Sequence, residues 1–240
     1  MGLYVEARVR TDLDTLWERT QDPARHQRWD LRFTEITYLP GADGEPQRFR
    51  YATRVLPFLA VAGTGVSAGE RHRAGGDRVS ALRFSSPHPL SPLAEGSGYW
   101  RYVPEGDGVR FLTGYDYRPR WGRFGRLADR LLFRPLMGWA TAWSFDRLRL
   151  WCELGVSPER ARVHWLLETA ARILLVAAPV AASFLSLGAL SPAAVPPAVL
   201  GLAAALLVPP SPRTPAARRC LRVAPSRSRA PRLLVTLEGP

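Results

Sequence analysis

The chain has 240 residues and a mass of 26.7 kDa; 46% of its residues are hydrophobic and 22% are charged. These averages are typical of a globular protein and exclude collagen-like, wholly disordered and disulfide-stapled classes. The formal net charge is +12 and comes from arginine alone, because the sequence contains no lysine. Two cysteines, Cys152 and Cys220, are too few for a disulfide framework and fit a reducing compartment.

The charge is distributed unevenly along the chain. Residues 1–155 hold 23 arginines against 18 acidic residues, residues 173–212 hold no charge, and residues 213–232 hold seven arginines and no acid. The sequence therefore predicts four segments: a folded domain at 1–157, an amphipathic connector at 158–172, a two-helix transmembrane hairpin at 173–208, and a largely disordered basic tail rich in proline and arginine at 209–240.

The N-terminal segment begins with an alternating pattern. Residues 3–9 place apolar side chains at every second position, which predicts a half-buried strand. Thr11 or Asp12 is positioned to cap a short helix over 13–20, and Asp22-Pro23 ends it. Turn-separated strands are then predicted at residues 32–39, 47–56, 61–71, 78–85, 95–103 and 108–118.

The connections between these strands are too short for parallel crossovers, so the sheet is predicted to be antiparallel. A helical stretch over 124–134 follows the last strand, and Pro135 is expected to end or kink it. Residues 136–153 then predict a long helix of about 27 Å, at about 1.5 Å per residue.

The stretch from Leu16 to Asp30 ends in Asp-Pro, a short helix and Trp29-Asp30. It resembles the START/Bet v 1-like (SRPBCC) superfamily, which includes polyketide cyclase-like and lipid-transfer proteins, and the resemblance covers residues 2–155. It implies an α+β helix-grip fold: a curved antiparallel sheet around a long C-terminal helix, with an apolar cavity between them. In this chain two apolar helices follow.

Strand parity and helix spacing identify candidate residues for the cavity wall. They share large aromatic side chains, which suit a planar or isoprenoid-like ligand. The candidates are Phe49, Tyr51, Phe84, Trp100, Tyr102, Phe111, Tyr115, Trp139 and Trp143. The alternative interpretation is that these aromatics fill the core.

No motif indicates catalysis, a metal or a cofactor. Gly65-Val66-Ser67-Ala68-Gly69 matches a nucleophile pattern, but it lies inside a predicted strand and lacks the strand–turn–helix context. The histidines and Cys152 have no metal-ligand spacing. Strand alternation predicts that the Asp116 side chain points away from the cavity. A cyclase-like or aromatase-like enzyme using Tyr51 and Tyr115 therefore rests on the resemblance alone.

The uncharged block has two interpretations. A membrane hairpin with both ends in the cytoplasm fits the flanking arginines, whereas a buried helical pair fits the shortness of each half. The absence of any charged face favours the membrane.

The arginines after the block predict a segment attracted to anionic lipid; they are Arg213, Arg218, Arg219 and Arg222. No aromatic residue lies between them, so a nucleic-acid surface is not expected.

Together these patterns predict a cell-membrane protein whose N-terminal domain and tail face the cytoplasm. Its predicted activity is non-catalytic binding or transfer of a lipid, isoprenoid or polyketide-like molecule. Two alternatives stay open: the enzyme, and a membrane-anchored interaction module with a filled core. Protein partners and the ligand's identity are not predicted.

Overall fold

A computed structural model of the chain describes residues 2–41, 44–56, 59–70, 76–187 and 192–225, together with residues 231 and 237. The chain divides into two compact units. Unit 1 comprises residues 1–155 and 216–240, and unit 2 comprises residues 156–215.

Unit 1 is built on one seven-stranded antiparallel sheet, as predicted. The strands are β1 (Leu3–Val9), β2 (Glu35–Tyr38), β3 (Gln47–Leu56), β4 (Leu59–Glu70), β5 (Arg78–Ser85), β6 (Leu93–Glu105) and β7 (Gly108–Pro119). Their order is β1-β7-β6-β5-β4-β3-β2, so every neighbour except β1–β7 is also consecutive in sequence. This is the meander that short turns produce, and β7 returns beside β1.

Two short helices connect β1 to β2, at the opposite edges of the sheet. Helix α1 spans Leu13–Gln21 and helix α2 spans Pro23–Trp29. Asp12 caps α1 by accepting a 2.7 Å hydrogen bond from the Thr15 amide, and Asp22 caps α2 by accepting one of 2.8 Å from the Ala24 amide. Pro23 occupies the first turn of α2, where its missing N–H is not needed.

The helical region after the sheet has three parts. Helix α3 (Gly122–Ala128) leads into a π-helical turn (Asp129–Phe133), and α4 (Arg134–Leu154) follows. Pro135 therefore lies in the first turn of α4 rather than at the end of a preceding helix. Gly155 ends α4 in the left-handed region, with φ of 63°.

Helix α4 packs against the sheet through a core of aromatic rings. Phe145 of α4 stacks on Phe111 of β7 with ring centroids 4.4 Å apart. Trp29 contacts Phe145 edge-on at 6.2 Å, and Trp29, Phe111 and Phe145 are all fully buried. The α+β arrangement predicted from the sequence, a long helix against an antiparallel sheet, is confirmed.

A short segment after unit 2 returns to unit 1. We call residues 216–222 the strap. Its backbone pairs with β1 through two 2.9 Å hydrogen bonds between Glu6 and Leu221. Cys220 is buried against α4, where its thiol lies 3.2 Å from the Ala142 carbonyl. The charge pattern of the sequence places this stretch in the basic tail and gives no sign of packing. Most of residues 226–240 lie outside the described part of the chain.

Asp146 is the residue that attaches the strap to α4. Its fully buried carboxylate accepts hydrogen bonds from Arg149 (2.7 Å), from the Ala216 amide (2.7 Å) and from Arg219 (2.9 Å). Arg219, one of the predicted membrane-surface arginines, therefore has an ion-pair partner within unit 1.

We expect Asp146→Ala to release the strap. The variant removes the acceptor of all three donors, so the free energy of unfolding should fall by about 1–3 kcal/mol. Trypsin cleavage after Arg218 and Arg219 should become faster by a larger factor than cleavage elsewhere. Asp116→Ala is the matched control, since that side chain is 58% exposed. Equal cleavage rates in the two variants would contradict the assignment.

Unit 2 consists of two apolar helices that contact each other. Helix α5 spans Pro158–Leu187 and helix α6 spans Val195–Leu207, after a short 3-10 turn at Pro192–Ala194. A Cβ atom at Gly201 of α6 would lie 2.2 Å from the Leu175 carbonyl oxygen of α5. The two backbones therefore approach closely, as small residues permit in membrane helix pairs.

The sequence placed a boundary between a connector and the first apolar helix at residue 173. The structure has one 30-residue helix across that position, with Pro179 inside it. Arg172 pairs with Glu168 at 2.6 Å, one turn earlier, and Glu168 accepts a 3.1 Å hydrogen bond from the Ser211 amide after α6. These polar contacts join α5, at the start of its apolar half, to the chain just after α6.

Candidate functional site

A cavity of about 130 Å³ lies in unit 1 between the sheet and the helices. Its wall is mainly aromatic and aliphatic, with a few polar side chains. The aromatic and aliphatic members are Phe33, Ile36, Tyr38, Phe49, Tyr51, Leu82, Phe84, Leu93, Tyr99, Trp100, Tyr115, Tyr117 and Met137. The volume is close to the roughly 150 Å³ of an engineered cavity that binds benzene. The enclosed space therefore fits one ring or the end of an alkyl chain.

Glycines on neighbouring strands determine where the cavity aromatics lie. Phe49 pairs with Gly65 in the β3–β4 register, and Tyr51 pairs with Gly63. A Cβ atom at Gly65 would lie 2.3 Å from the Phe49 ring, and one at Gly63 would lie 2.4 Å from the Tyr51 hydroxyl. Each ring therefore lies against a glycine backbone, at a position where a larger side chain would displace it.

Close contacts between a glycine and its paired aromatic residue recur on the other strands of the wall. Gly96 of β6 pairs with Phe84 of β5, and a Cβ atom there would lie 2.4 Å from that ring. Gly98 of β6 pairs with Tyr115 of β7, with a distance of 2.6 Å to the tyrosine Cβ. The glycine-rich strand that matched a nucleophile pattern in sequence thus has a packing role, and it lies within β4 as predicted.

A buried charged cluster borders the cavity beside α2. Asp30 is fully buried and accepts hydrogen bonds from Arg32 Nη2 (2.6 Å), Arg32 Nε (2.9 Å) and the Arg32 amide (3.0 Å). His26 Nε2 lies 3.1 Å from the same carboxylate. The Arg32 guanidinium also lies over the Phe33 and Tyr115 rings, at 5.5 and 5.4 Å. Both Arg32 and His26 line the cavity.

Burial and pairing set the protonation states of this cluster. Burial alone would raise the pKa of Asp30, but the charge and hydrogen bonds of Arg32 and His26 outweigh it and lower that pKa. Burial lowers the pKa of His26, and the opposing hydrogen bond to Asp30 does not compensate. At neutral pH the cluster thus holds a carboxylate, a guanidinium and an uncharged imidazole, whose Nε2 donates to Asp30.

The other polar groups of the wall bond to one another. Thr20 Oγ1 lies 2.7 Å from the Tyr102 hydroxyl, which also accepts a 2.9 Å hydrogen bond from Gln21. The Tyr115 hydroxyl lies 2.9 Å from Thr141 Oγ1. Tyr51 donates to the Ser85 carbonyl over 3.4 Å, and burial raises the pKa of its hydroxyl to about 12. Tyr51 is therefore a neutral hydrogen-bond donor, and it is not a base at neutral pH.

The structure brings five of the nine predicted cavity residues together: Phe49, Tyr51, Phe84, Trp100 and Tyr115 line the cavity. Tyr102 and Phe111 are fully buried and pack against each other at 4.9 Å, beside the cavity rather than on its wall. These two follow the interpretation in which aromatics fill the core.

Trp139 and Trp143 lie on a different face of α4. They stack on each other at 6.3 Å, and Arg147 lies 5.3 Å from the Trp143 ring. The face toward the sheet carries Met137 and Thr141. Because successive residues are about 100° apart around a helix, Trp139 lies roughly 200° from Met137, and Trp143 lies roughly 200° from Thr141.

Several wall residues were not predicted from the sequence. Arg32 and His26 were missed because charged and polar side chains were taken to face solvent. The sequence feature that could have identified these two residues is local, because His26 and Arg32 both lie within four residues of Asp30. Met137 was missed because the apolar stripe through Leu136 and Trp139 was assigned to the sheet.

The chain is similar to a bacterial membrane protein. It is 53% identical over 159 residues to the uncharacterized membrane protein YndG of Bacillus subtilis strain 168, a match that covers 66% of this chain and 59% of that protein. The chain thus spans less than two thirds of this relative's length. No protein-family model matches the chain.

Similar solved structures have START-like and polyketide cyclase-like folds. They include TTHA0849 from Thermus thermophilus, which is 18% identical with a TM-score of 0.48 and covers 64% of this chain and 99% of its own. A STAR-related lipid transfer protein of Xanthomonas axonopodis is 18% identical with a TM-score of 0.45, covering 61% and 82%. The Zhui aromatase/cyclase of Streptomyces sp. R1128 is 15% identical with a TM-score of 0.42, covering 62% and 95%. At these identities the likeness concerns the fold alone.

In the described part of the chain, one helix is long and apolar enough to cross a membrane. It is α5, over Pro158–Ser186, and only 6% of its most apolar 18-residue stretch is buried. Helix α6 is shorter. Large side chains on both are exposed, among them Leu174 (62%), Leu185 (88%) and Leu207 (77%). A core helix of a soluble protein would be mostly buried.

The described residues contain no group of three or more histidine, cysteine or acidic side chains placed to hold a metal ion. The arginines predicted to face lipid have different surroundings. Arg213, Arg218 and Arg222 are exposed, and the Arg222 guanidinium lies beside Gly138, whereas Arg219 pairs with Asp146.

The buried imidazole predicts a pH dependence of stability. In the folded state the pKa of His26 lies below its ordinary value of about 6.5, so below that pH the unfolded chain binds a proton that the folded chain does not. Stability should then fall as the pH drops below about 6.5, by up to about 1.4 kcal/mol per pH unit. Thermal unfolding followed from about pH 8 down to about pH 5 should show a smaller decline in His26→Gln. An equal decline in the two proteins would contradict this assignment.

Proposed function

We propose that the protein holds the apolar part of a small hydrophobic molecule in the cavity of unit 1 while α5 and α6 tether it to the membrane. The observation that carries this proposal is the cavity itself. A space of about 130 Å³ is retained among aromatic rings by glycines on two strands, Gly63 and Gly65 of β4 and Gly96 and Gly98 of β6.

The volume limits what is enclosed. Pockets for complete drug-sized ligands are roughly 300–1,000 Å³, so this cavity is too small for a whole lipid in the described conformation. A ring, or the end of an isoprenoid or acyl chain, fits. The rest of such a molecule would extend beyond the cavity. Arg32 and Tyr115 can donate to an oxygen atom on the enclosed part.

The membrane tether is supported by the low burial of α5, the close α5–α6 contact at Gly201, and the similarity to a membrane protein. Apolar residues 173–187 of α5 measure about 22 Å at about 1.5 Å per residue, less than the roughly 30 Å hydrocarbon core. We therefore propose a hairpin that enters the bilayer from the cytoplasmic side. Arginines flank both ends, Arg160 and Arg172 before and Arg213 after, as the positive-inside tendency requires.

Native mass spectrometry of the full chain, purified in mild detergent, tests the binding proposal. We expect a mass excess corresponding to one apolar molecule per chain, identified after extraction. Lipid held by α5 and α6 is distinguished with Ser67→Phe, which places a ring inside the cavity from β4. The variant should lose the excess. An excess that persists in Ser67→Phe, or a bare chain in the parent protein, would contradict binding in the cavity.

The tether is tested separately by thiol labelling in inverted and right-side-out vesicles. With Cys152 and Cys220 replaced by serine, single cysteines introduced as Arg160→Cys and Arg218→Cys should both react from the cytoplasmic side. Reaction of the two sites from opposite sides would show an odd number of crossings and would refute the hairpin.

One observation favours an enzyme as the second candidate function. His26 lines the cavity, is uncharged at neutral pH, and is oriented by Asp30, as a general base requires. In this alternative His26 would accept a proton next to a carbonyl of the enclosed molecule. His26→Gln should then abolish turnover while the bound mass is retained, and Tyr51→Phe and Tyr115→Phe test the hydroxyl donors in the same assay.

A further inference from the structure

The segment between the sheet and α4 exposes an unusual number of large apolar side chains. Residues 121–136 comprise α3, the π-helical turn and the first turn of α4. We call their exposed side the apolar ridge. The exposed apolar members are Trp121 (42%), Phe124 (73%), Leu127 (56%), Leu131 (69%), Leu132 (59%) and Leu136 (50%). Exposed hydrophobic residues normally occur singly, so a run of this kind marks an interaction surface.

The charges on the ridge have one sign. Arg123, Arg126 and Arg130 are exposed between the apolar residues. The only acid of the segment, Asp129, is buried, where it accepts hydrogen bonds from Tyr117 and from Arg134 Nε (3.0 Å). The ridge therefore presents apolar side chains and positive charge together, which is the composition of helices that lie in an anionic lipid interface.

The ridge begins at an unusual backbone position. Trp121 has φ of 64° and is the one non-glycine with positive φ among the described residues. This left-handed conformation is unfavourable for a bulky residue and is typically retained where a function requires it. A 3.2 Å hydrogen bond from the Trp121 indole to the Pro89 carbonyl fixes the ring at the start of the ridge. The buried Asp129 holds the π-helical turn in place from beneath.

The ridge is also next to the cavity wall in sequence and structure. Tyr117, which lines the cavity, donates to Asp129 inside the ridge, and Met137, which also lines it, follows Leu136 directly. An occupant of the ridge would therefore lie beside the cavity wall.

We infer that the apolar ridge is a second membrane contact, in which unit 1 inserts these side chains among anionic lipid headgroups beside the cavity. The occupant is a lipid surface rather than another protein because three exposed arginines, and no exposed acid, accompany the apolar residues. This inference rests on the membrane tether of the proposed function. Ligand binding is not required for it.

The test uses the full chain reconstituted into vesicles of phosphatidylcholine with about 30 mol% phosphatidylglycerol. An environment-sensitive fluorophore is attached at Phe124→Cys in a Cys152→Ser background, with Leu131→Cys as a second site. Glu105→Cys, at an exposed hairpin of the sheet, is the matched control. Circular dichroism confirms folding of each labelled chain.

We expect the ridge sites to gain about twofold in emission on reconstitution and to be quenched by lipid-attached nitroxides, whereas the control site stays in water. Replacing Arg123, Arg126 and Arg130 by glutamine should reduce this gain, as should vesicles of phosphatidylcholine alone. These results support a lipid contact.

Three results would overturn it. Protein that floats with the vesicles but leaves both ridge sites as water-exposed as the control refutes the ridge contact and leaves the tether intact. Protein that does not float refutes both. Emission that rises with protein concentration in detergent, independent of lipid, assigns the ridge to a second copy of the chain.

Discussion

Asp30→Ala should destabilise unit 1 by about 3–5 kcal/mol, a large part of the roughly 5–15 kcal/mol that holds a typical domain together. The reason is that Arg32 would stay buried, with 11% of its side chain exposed, without its counter-charge. His26 Nε2 and the Arg32 amide would lose their acceptor as well. Unfolding by denaturant, followed by near-ultraviolet circular dichroism, measures this loss.

Two variants make that result specific. Asp107→Ala removes an exposed carboxylate that pairs with Arg8 at 2.9 Å, and it should cost less than about 1 kcal/mol. The double variant Asp30→Leu with Arg32→Met removes both charges, so much of the stability should return. If Asp30→Ala costs no more than Asp107→Ala, the cluster is not the buried ion pair described above.

Gly65→Ala should lower the affinity for an apolar ligand about tenfold, a change of about 1.4 kcal/mol in binding free energy. The added Cβ would lie 2.3 Å from the Phe49 ring, which therefore has to leave the sheet surface and enter a cavity of about 130 Å³. Since Phe49 and Gly65 are paired across two strands, the ring has no room on the sheet itself. Titration with a fluorescent apolar probe in vesicles measures the affinity.

Gly69→Ala is the matched control for this prediction. It changes the same residue type on the same strand, but its Cβ would meet Trp17 at 3.0 Å, away from the cavity aromatics. The control should bind the probe like the parent protein. Equal affinities in Gly65→Ala and the parent protein would show that Phe49 does not limit the cavity.

The sheet could be predicted because each strand carries its own signal. Residues 47–56 and 78–85 alternate apolar and polar side chains between turn residues, and β3 and β5 have those bounds. The strand predicted at 32–39 is shorter in the structure, β2 being Glu35–Tyr38. The Arg32 amide and guanidinium turn back to Asp30, so the chain enters the sheet three residues later. This local hydrogen bonding leaves no mark in the hydrophobic pattern of the sequence, so the start of the strand could not be predicted from that pattern.

The helix faces were harder to predict because partners far away in sequence determine them. Thr141 and Ser144 lie on the buried side of α4, where they bond to the Tyr115 hydroxyl and the Leu31 amide. A hydrophobic pattern alone assigns such polar positions to solvent, and it assigned Trp139 and Trp143 to the sheet instead. The strap had no signal for the same reason, since its main acceptor, Asp146, lies 70 residues before Ala216.

The central claim is that the cavity, and not only the membrane helices, holds an apolar molecule. Photo-crosslinking tests it most directly: a fatty acid with a diazirine near its chain end is incorporated into vesicles with the full chain, irradiated, and mapped by peptide mass spectrometry. We predict label on peptides that contain Tyr51, Trp100 and Met137, retained in Gly69→Ala and lost in Gly65→Ala, while label on α5 is unchanged in both. Label confined to α5, α6 and the apolar ridge, or cavity label unaffected by Gly65→Ala, would contradict the account.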